Sequence, residues 1–514
     1  MEGDLNLEIS KREEFTYGFI IEVLTRGLYP DKFHVIREYI QNAFDAICKW
    51  RRDPNFDDTG KIQIKIDNNS IIIFDEGTGM DKQKMNQYRY VGYSEKRVGE
   101  STGFRGIGKL SGISVADKLI VTSSAYGEKE RNTLIFNTQG MILEILELKS
   151  RGENIALNEL IRKHTDIQTS EEERKAHYTI IELNNIRDDS QILLDEDQLI
   201  NFIGMNCPVE FDPAFEFGEE IENKIEEMIE DYETITINVG ERQAYKPYIS
   251  PCKRPEYHTI WKEESEDTEE PEILCFSWYC KNTESKQFED KDRSGMLFKS
   301  KNFTIGDRFL TREKLWSATP ERAFYFYGEI YVNDKEVTPT SERNNFVQNT
   351  ARDSLYKKGK EIGKTLSKIA GKDSEQNRAI QKLNEFEDTL KNIGEEYEQG
   401  KISKELEVQK IITIYNRLDD AQKRINKLPT EEDKQRSRKT MKKAKEIINI
   451  FKKIKEKKEE NKLYDITQEL KFNGDCKRLY ELIISSLQDT LIDKEDLCEE
   501  IIKKIHSSLR EKWK

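Results

Sequence analysis

Residues 37–47 read REYIQNAFDAI, and whether they form a buried helix governs the architecture of the first part of the chain. Val35, Ile36, Tyr39, Ile40, Ala43, Phe44 and Ile47 recur at helical spacing and form a wide apolar stripe. Glu38, Asn42 and Asp45 fall four and three residues apart, so they share one helical face beside that stripe. On a helix that must bury much of its surface, such a row faces either solvent, as an ordinary charged face, or a polar ligand. The flanking sequence bears on this choice.

Downstream, KIQIKIDNNSIIIF (61–74) alternates apolar and polar residues around Asn-Asn-Ser and predicts a β-hairpin. It runs into FDEGTGM (74–80), an acid at a strand end followed by glycines two apart. Glycine there permits positive φ and lets the backbone approach a ligand closely. Asp75-Glu76-Gly77 is also the kind of tripeptide that closes an ordinary turn. Next, STGFRGIGKLSG (101–112) sets Gly103, Gly106, Gly108 and Gly112 in a loop expected to lead into a helix. Such a loop can aim N–H groups at phosphate oxygens, with Lys109 adding charge. It has neither the G-K-[ST] ending of a P-loop nor the strand–helix setting of a dinucleotide fingerprint. DKLIVTSSAY (117–126), RNTLIFNTQG (131–140), MILEILEL (141–148) and HYTIIELNNI (177–186) read as further strands, and 152–176 as a polar loop or helical insert. The expected fold class is α+β, helices layered on one side of an antiparallel sheet.

The whole chain has 514 residues, 36% hydrophobic and 35% charged, enough for two to four domains. No apolar run approaches the ~20 residues that cross a bilayer, and MEGDLNLEIS lacks the basic and apolar regions of a signal peptide. Seven cysteines without a C-x-x-C pair argue against a disulfide framework or zinc site and for a reducing, cytoplasmic setting. The net charge of −14 is uneven: residues 351–514 hold 39 Lys and Arg against 32 Asp and Glu, while 1–350 hold 45 against 66. Ten of eleven prolines precede residue 340, so the Lys/Glu/Leu/Ile-rich tail reads as long helices. The expected divisions are 1–204, 205–349 and a helical, coiled-coil-like extension over 350–514, with the acidic 262–272 a solvated loop.

The order REYIQNAFDA, DEGTGM, GFRGIGKLS and then Thr179 in HYTIIEL resembles the GHKL ATPases. Their nucleotide-binding domain is the Bergerat fold, shared by the ATPase component of DNA gyrase, ninety-kilodalton heat-shock chaperones, histidine kinases, mismatch-repair clamps and microrchidia (MORC) proteins. GLYPDKFHVIREYIQNAFDA (27–46) looks most like the heat-shock branch. The resemblance implies ATP and Mg2+ as cofactors. It makes Asn42 the Mg2+ ligand, Glu38 the base that orients and deprotonates the attacking water, and Asp75 the acceptor of the adenine amino group, with Thr179 sharing a water there. Gly77, Gly79 and Met80 would lie against the base, Gly103, Gly106, Ile107, Gly108 and Lys109 in the lid over the phosphates, and Asp45 near the nucleotide. Taken alone, Thr179 on an alternating strand reads as a structural β-former.

RSGMLFKSKNFTIGDR (293–308) and GEIYVNDKEVTPTSERNNF (328–346) resemble the transducer domain of the same clamps, in which a basic residue reaches back to the γ-phosphate. Arg343 is the match, against the alternative of a surface arginine paired with Glu342 or solvent. The tail resembles none of the family's downstream domains. Its basic run KQRSRKTMKKAKEIINIFKKIKEKK (434–458) reads first as a solvated helical face and second as a nucleic-acid contact without base-stacking aromatics. The function expected is an ATP-hydrolysing clamp that dimerises through its N-terminal domains, works on a protein client and contacts no membrane. The alternatives are a MORC-like nucleic-acid clamp in genome or anti-phage defence, and a nucleotide-gated interaction module with negligible turnover.

Overall fold

In the computed structural model the described residues are 31–53, 60–89, 108–153, 155–248, 252–262, 272–291, 293–316, 318–333, 335–340, 342–399, 404–460, 466–491 and 494–512. The expected first helix is α1, Phe33–Arg51. Twelve of its residues are buried, while His34, Glu38, Asn42, Asp45 and Ala46 are partly exposed. The polar row is therefore a narrow wetted seam on a helix otherwise packed into the core.

The hairpin forms as expected. Strands β1 (Lys61–Asp67) and β2 (Ser70–Asp75) pair antiparallel with Asp67 opposite Ser70, and Asn68 takes φ 50°, as a tight hairpin turn requires. A short helix α2 (Lys82–Tyr88) follows, its first turn capped by the Asp81 carboxylate accepting Lys84 N–H at 2.8 Å. The glycine-rich loop leads into a 3-10 turn, Gly108–Ser114, in place of the expected α-helix. Strands β3 (Ala116–Ser124) and β4 (Glu130–Asn137) come next.

MILEILEL, expected as a strand, lies in helix α3 (Thr138–Ser150). The Asn137 side chain caps it by accepting Gly140 N–H at 2.9 Å, and Met141 and Ile145 face the core at helical spacing while Leu143 and Leu146 are exposed. Leu, Met and Glu are strong helix formers, and a cap outweighs an apolar run that lacks strict alternation. The polar segment 152–176 holds helix α4 (Leu157–Lys163) and also an unforeseen strand, β5 (Thr165–Glu171). β5 lies at the sheet edge with most side chains exposed, so it needs no apolar face to betray it. Strand β6 (Tyr178–Ile186), a 3-10 turn (Asp188–Leu194), α5 (Glu196–Asn206) and α6 (Gly218–Met228) follow.

β7 (Thr236–Val239) and β8 (Arg242–Gln243) complete an eight-stranded sheet in the order β5-β4-β3-β6-β2-β1-β7-β8. The expected antiparallel sheet thus contains one parallel pair, β1 with β7, because a strand from beyond residue 204 adds to its edge. α1 packs on this sheet through Ile36, Tyr39, Ile40, Ala43 and Ile47, all at most 3% exposed.

β9 (Glu256–Trp261), β10 (Ile273–Lys281), β11 (Gly295–Ser300), β12 (Phe303–Ile305), α7 (Arg308–Leu315) and β13 (Phe326–Val332) build a second, five-stranded sheet in the order β12-β11-β13-β10-β9. It meets the first sheet's elements through a buried charge cluster. Lys246 Nζ lies 2.9 Å and Lys299 Nζ 3.1 Å from the Glu329 carboxylate, and Lys299 also donates to the Met205 carbonyl at the end of α5. Burial alone would raise the Glu329 pKa; the two lysines hold it well below the usual carboxylate range. The acidic stretch expected to be a loop lies almost wholly outside the described residues.

The chain divides into two compact units, Met1–Ser374 and Glu375–Lys514, and the division falls within the long helix α8 (Thr350–Glu398). The second unit is helical, as its composition requires: α9 (Lys404–Arg424), α10 (Glu431–Glu460), α11 (Ile466–Glu469), α12 (Gly474–Thr490) and α13 (Glu495–Lys512). Phe386, Leu390, Ile393, Ile414, Leu418, Ala444, Ile448 and Phe451 form one of its cores. Among the described residues no helix is long and apolar enough to cross a membrane.

Candidate functional site

The site grows from the C-terminal end of β2. There Asp75 pairs with Thr179 of β6, and Thr179 pairs in turn with Ser123 of β3, so three polar residues sit side by side on adjacent strands. Ser123 Oγ lies 3.1 Å from Thr179 Oγ1, donates to the Tyr178 carbonyl at 2.7 Å and accepts Met80 N–H at 2.8 Å. Asp75 is 6% exposed, and one of its carboxylate oxygens accepts Gly77 N–H at 3.0 Å. Burial pushes its pKa up to about 7; the Gly77 N–H opposes the rise and Glu76 adds to it. A carboxyl buried at the edge of a core is a group that would gain from a hydrogen-bond donor supplied by a ligand.

The two glycines after Asp75 are both sterically required. Gly79 has φ +63°, and a Cβ there would lie 1.8 Å from the Ser124 carbonyl oxygen. A Cβ on Gly77 would lie 2.5 Å from Ala46 Cβ on α1. The DEGTG segment is thus threaded between α1 and the ends of β3 and β6.

The α1 row borders the same region. A Cβ on Gly108 would fall 2.0 Å from Glu38 Oε2, so the first residue of the 3-10 turn rests directly on the Glu38 carboxylate. The turn is anchored to α1 by Gly112 N–H donating to Tyr39 Oη at 2.8 Å. Lys109 faces α2, its Nζ 3.4 Å from the Gln87 carbonyl and 5.7 Å from the Tyr88 ring centroid, and burial lowers its pKa to about 8. Gly103, Gly106 and Ile107 lie outside the described residues.

Arg343 arrives from far along the chain. It takes φ +54°, is 6% exposed and sets its guanidinium 5.6 Å from the Phe303 ring centroid. Phe303 packs edge-to-face on Phe44 of α1 at 5.4 Å, and Arg37 of α1 donates to the Glu342 carbonyl at 3.0 Å. Burial lowers the Arg343 pKa to about 10 and Arg37 pushes the same way, while Glu38 and Asp45 oppose them. Arg343 is therefore buried and not on the surface; the Glu342 carboxylate accepts from Asn344 Nδ2 at 2.6 Å.

The structure brings Glu38, Asp45, Gly108 and Arg343 to one side of α1, and Asp75, Gly77, Gly79, Met80 and Thr179 to the strand ends beside it. Asn42 lies in the row, one turn from Glu38. Its amide oxygen suits a hard cation, and among the described residues no group of three or more His, Cys, Asp or Glu offers another metal site. Ser123 and Lys301 were missed in the sequence. The first had a signal, two serines ending an apolar strand in IVTSSAY. The second had none: Lys301 stands in the β11–β12 turn at φ 47°, where burial lowers its pKa and Asp231 and Asp45 oppose the shift.

Residues 31–181 match the family described as histidine kinase-, DNA gyrase B-, and HSP90-like ATPase. Relatives include the chaperone protein HtpG of Rickettsia canadensis, 31% identical over 186 residues, which cover 30% of this chain and 29% of that protein. HtpG of Sulfurovum sp. is 32% identical over 145 residues, covering 24% of this chain and 23% of the relative. The matched part spans less than a third of either chaperone.

Proposed function

We propose that residues 31–181 form an HSP90-like ATPase domain of the GHKL superfamily and that this chain binds and hydrolyses Mg-ATP as a clamp whose second sheet senses the nucleotide. One observation carries the reading: the half-exposed row Glu38–Asn42–Asp45 on a buried helix, with the buried Arg343 set beside it. The residues fit the nucleotide. Asp75 can accept the adenine amino group, and the glycines Gly77 and Gly79 let the segment after it pack closely against α1 and β3. Ser123 and Thr179 offer hydroxyls for a shared water.

Asn42 would hold Mg2+ through its amide oxygen, and the cation when bound would neutralise charge on the phosphates. Glu38 would orient a water and take its proton. Arg343 would present a planar guanidinium to the terminal phosphate, and its own carbonyl accepts Gly306 N–H at 2.7 Å. In functional terms we divide the chain into an ATP-binding domain over 1–204, a transducer over 205–349 and a helical extension over 350–514. We extend the proposal to homodimerisation on ATP binding, work on a protein client and a cytoplasmic setting, as the resemblance to the heat-shock chaperones implies.

The test is Glu38→Ala. It should bind ATP near normally in calorimetry and hydrolyse it at least about a hundredfold more slowly than wild type. Wild-type turnover in this variant would remove the base from the proposal, and absence of ATP binding by wild type would remove the proposal itself.

A further inference from the structure

The β2–β6 ladder ends at Asp75 opposite Thr179, and continuing that antiparallel register by two residues sets Gly77 opposite His177. There the backbone ladder is replaced by a side chain: His177 Nδ1 lies 3.0 Å from the Gly77 carbonyl oxygen. A carbonyl only accepts, so Nδ1 carries the proton. The imidazole lies on the Trp50 indole, centroids 3.7 Å apart and planes 22° from parallel, and Tyr126 closes its edge at 6.5 Å. Trp50 is 4% exposed in the last turn of α1. The ring is thus fixed on its face by α1 and on its edge by Gly77.

Gly77 has the widest conformational freedom of any residue type, yet it stands where orientation matters most, since its N–H holds Asp75. Ala46 forbids a stiffer residue there. The His177 side chain adds a clamp on this backbone from just before β6. We propose that His177 is a positioning residue for base recognition: by holding the Gly77 carbonyl, in the peptide adjoining the one whose N–H donates to Asp75, it restrains Gly77 and with it the aim of the Asp75 carboxylate, and so sets the preference for an adenine over a guanine base. The proposal rests on the nucleotide reading above.

Two variants of the full chain separate the hydrogen bond from the stack. His177→Phe keeps an aromatic ring on Trp50 and removes the donor; His177→Asn removes the ring and returns an amide N–H near the place of Nδ1. ATP and GTP affinities are measured by calorimetry and Gly77 amide exchange by NMR. His177→Phe should lose about five- to tenfold in ATP affinity, the worth of one neutral hydrogen bond, with the ATP-to-GTP ratio falling by a similar factor and Gly77 exchanging faster. His177→Asn should restore most of the ratio and the protection. The proposal is overturned if His177→Phe keeps its ratio within twofold, if both affinities fall equally, or if His177→Asn is as impaired as His177→Phe. A wild type that binds no ATP sinks the nucleotide reading alone; the Gly77 exchange rates still decide the clamp, and unchanged rates in His177→Phe overturn it.

Discussion

Helices α1 and α10 both carry ionisable rows, but they dispose of the charge in opposite ways. On α10, Ser437, Ala444, Ile448 and Phe451 form the buried stripe, and Lys439, Lys442, Lys443, Lys445, Lys452 and Lys453 point to solvent on the other face. Its ion pairs are local or with a neighbouring helix, Lys434 with Glu431 at 2.6 Å and Arg436 with Glu387. Such exposed pairs contribute at most about 1 kcal/mol. On α1 the row is only half exposed, and charged groups reach it from the β11–β12 turn and from the loop carrying Arg343, hundreds of residues away. Charge that water solvates needs no arrangement; charge gathered from distant segments at the edge of a core must be held there by the fold.

The contrast can be broken most directly at its arginines. Arg343→Met should slow ATP hydrolysis by about a hundredfold while changing ATP affinity far less, as expected when a donor acts mainly on developing charge. Arg436→Met should leave hydrolysis within twofold of wild type. Equal effects of the two substitutions in steady-state assays would erase the distinction between the helices.

Glycines offer the next largest effect. Gly79→Ala combines positive φ with a clash against the Ser124 carbonyl and should cost more than about 2 kcal/mol in urea unfolding, with ATP binding lost. Gly152 also has positive φ, +69°, but a Cβ there meets open space, so Gly152→Ala should cost only about 1–2 kcal/mol and spare binding.

A third measurement turns on pH. The Asp75 carboxyl has a pKa near 7 in the folded chain, above the ordinary carboxylate value of an unfolded one. The native state therefore binds an extra proton between those values, and this group's contribution to stability is lost as pH rises toward about 7. Acceptance of an adenine amino hydrogen favours the ionised form, so ATP affinity should move the opposite way. It should weaken about tenfold per unit below the folded pKa, with proton release seen as buffer-dependent heats in calorimetry. Asp75→Asn should abolish both trends.

The smallest effect belongs to the tail. Reversing Lys442 and Lys443 to Glu should leave the basal ATPase rate unchanged, since their side chains lie on the solvated face of α10. Loss of ATPase activity in this variant would tie the basic helix to the nucleotide cycle.

Much of the site was legible along the chain because its parts are local. A helical row at spacings of four and three, a hairpin closed by Asn-Asn-Ser, and an acid followed by two glycines are short-range patterns governed by the periodicities of helix and strand. Those patterns single out Glu38, Asn42 and Asp75 along the chain. What lies outside them is set by packing. MILEILEL is a helix because Asn137 caps it, and β5 leaves no pattern in the sequence because an exposed edge strand has no apolar face to display. The parallel addition of β7 beside β1 joins residues that no sequence period connects.

Neighbours a turn or a strand step away thus account for the α+β character of the first part, the helical tail and the residues of the α1 row, and all three could be read along the chain. It took packing across the chain to bury Arg343 beside that row, to join Ser123 to Thr179, and to set His177 on Gly77. These pairs come from segments 56 to 305 residues apart or share no periodic relation, as with Arg37 and the Glu342 carbonyl. Their contacts form because close packing shuts water away from buried polar atoms, which favours partners on whatever segment the fold brings near.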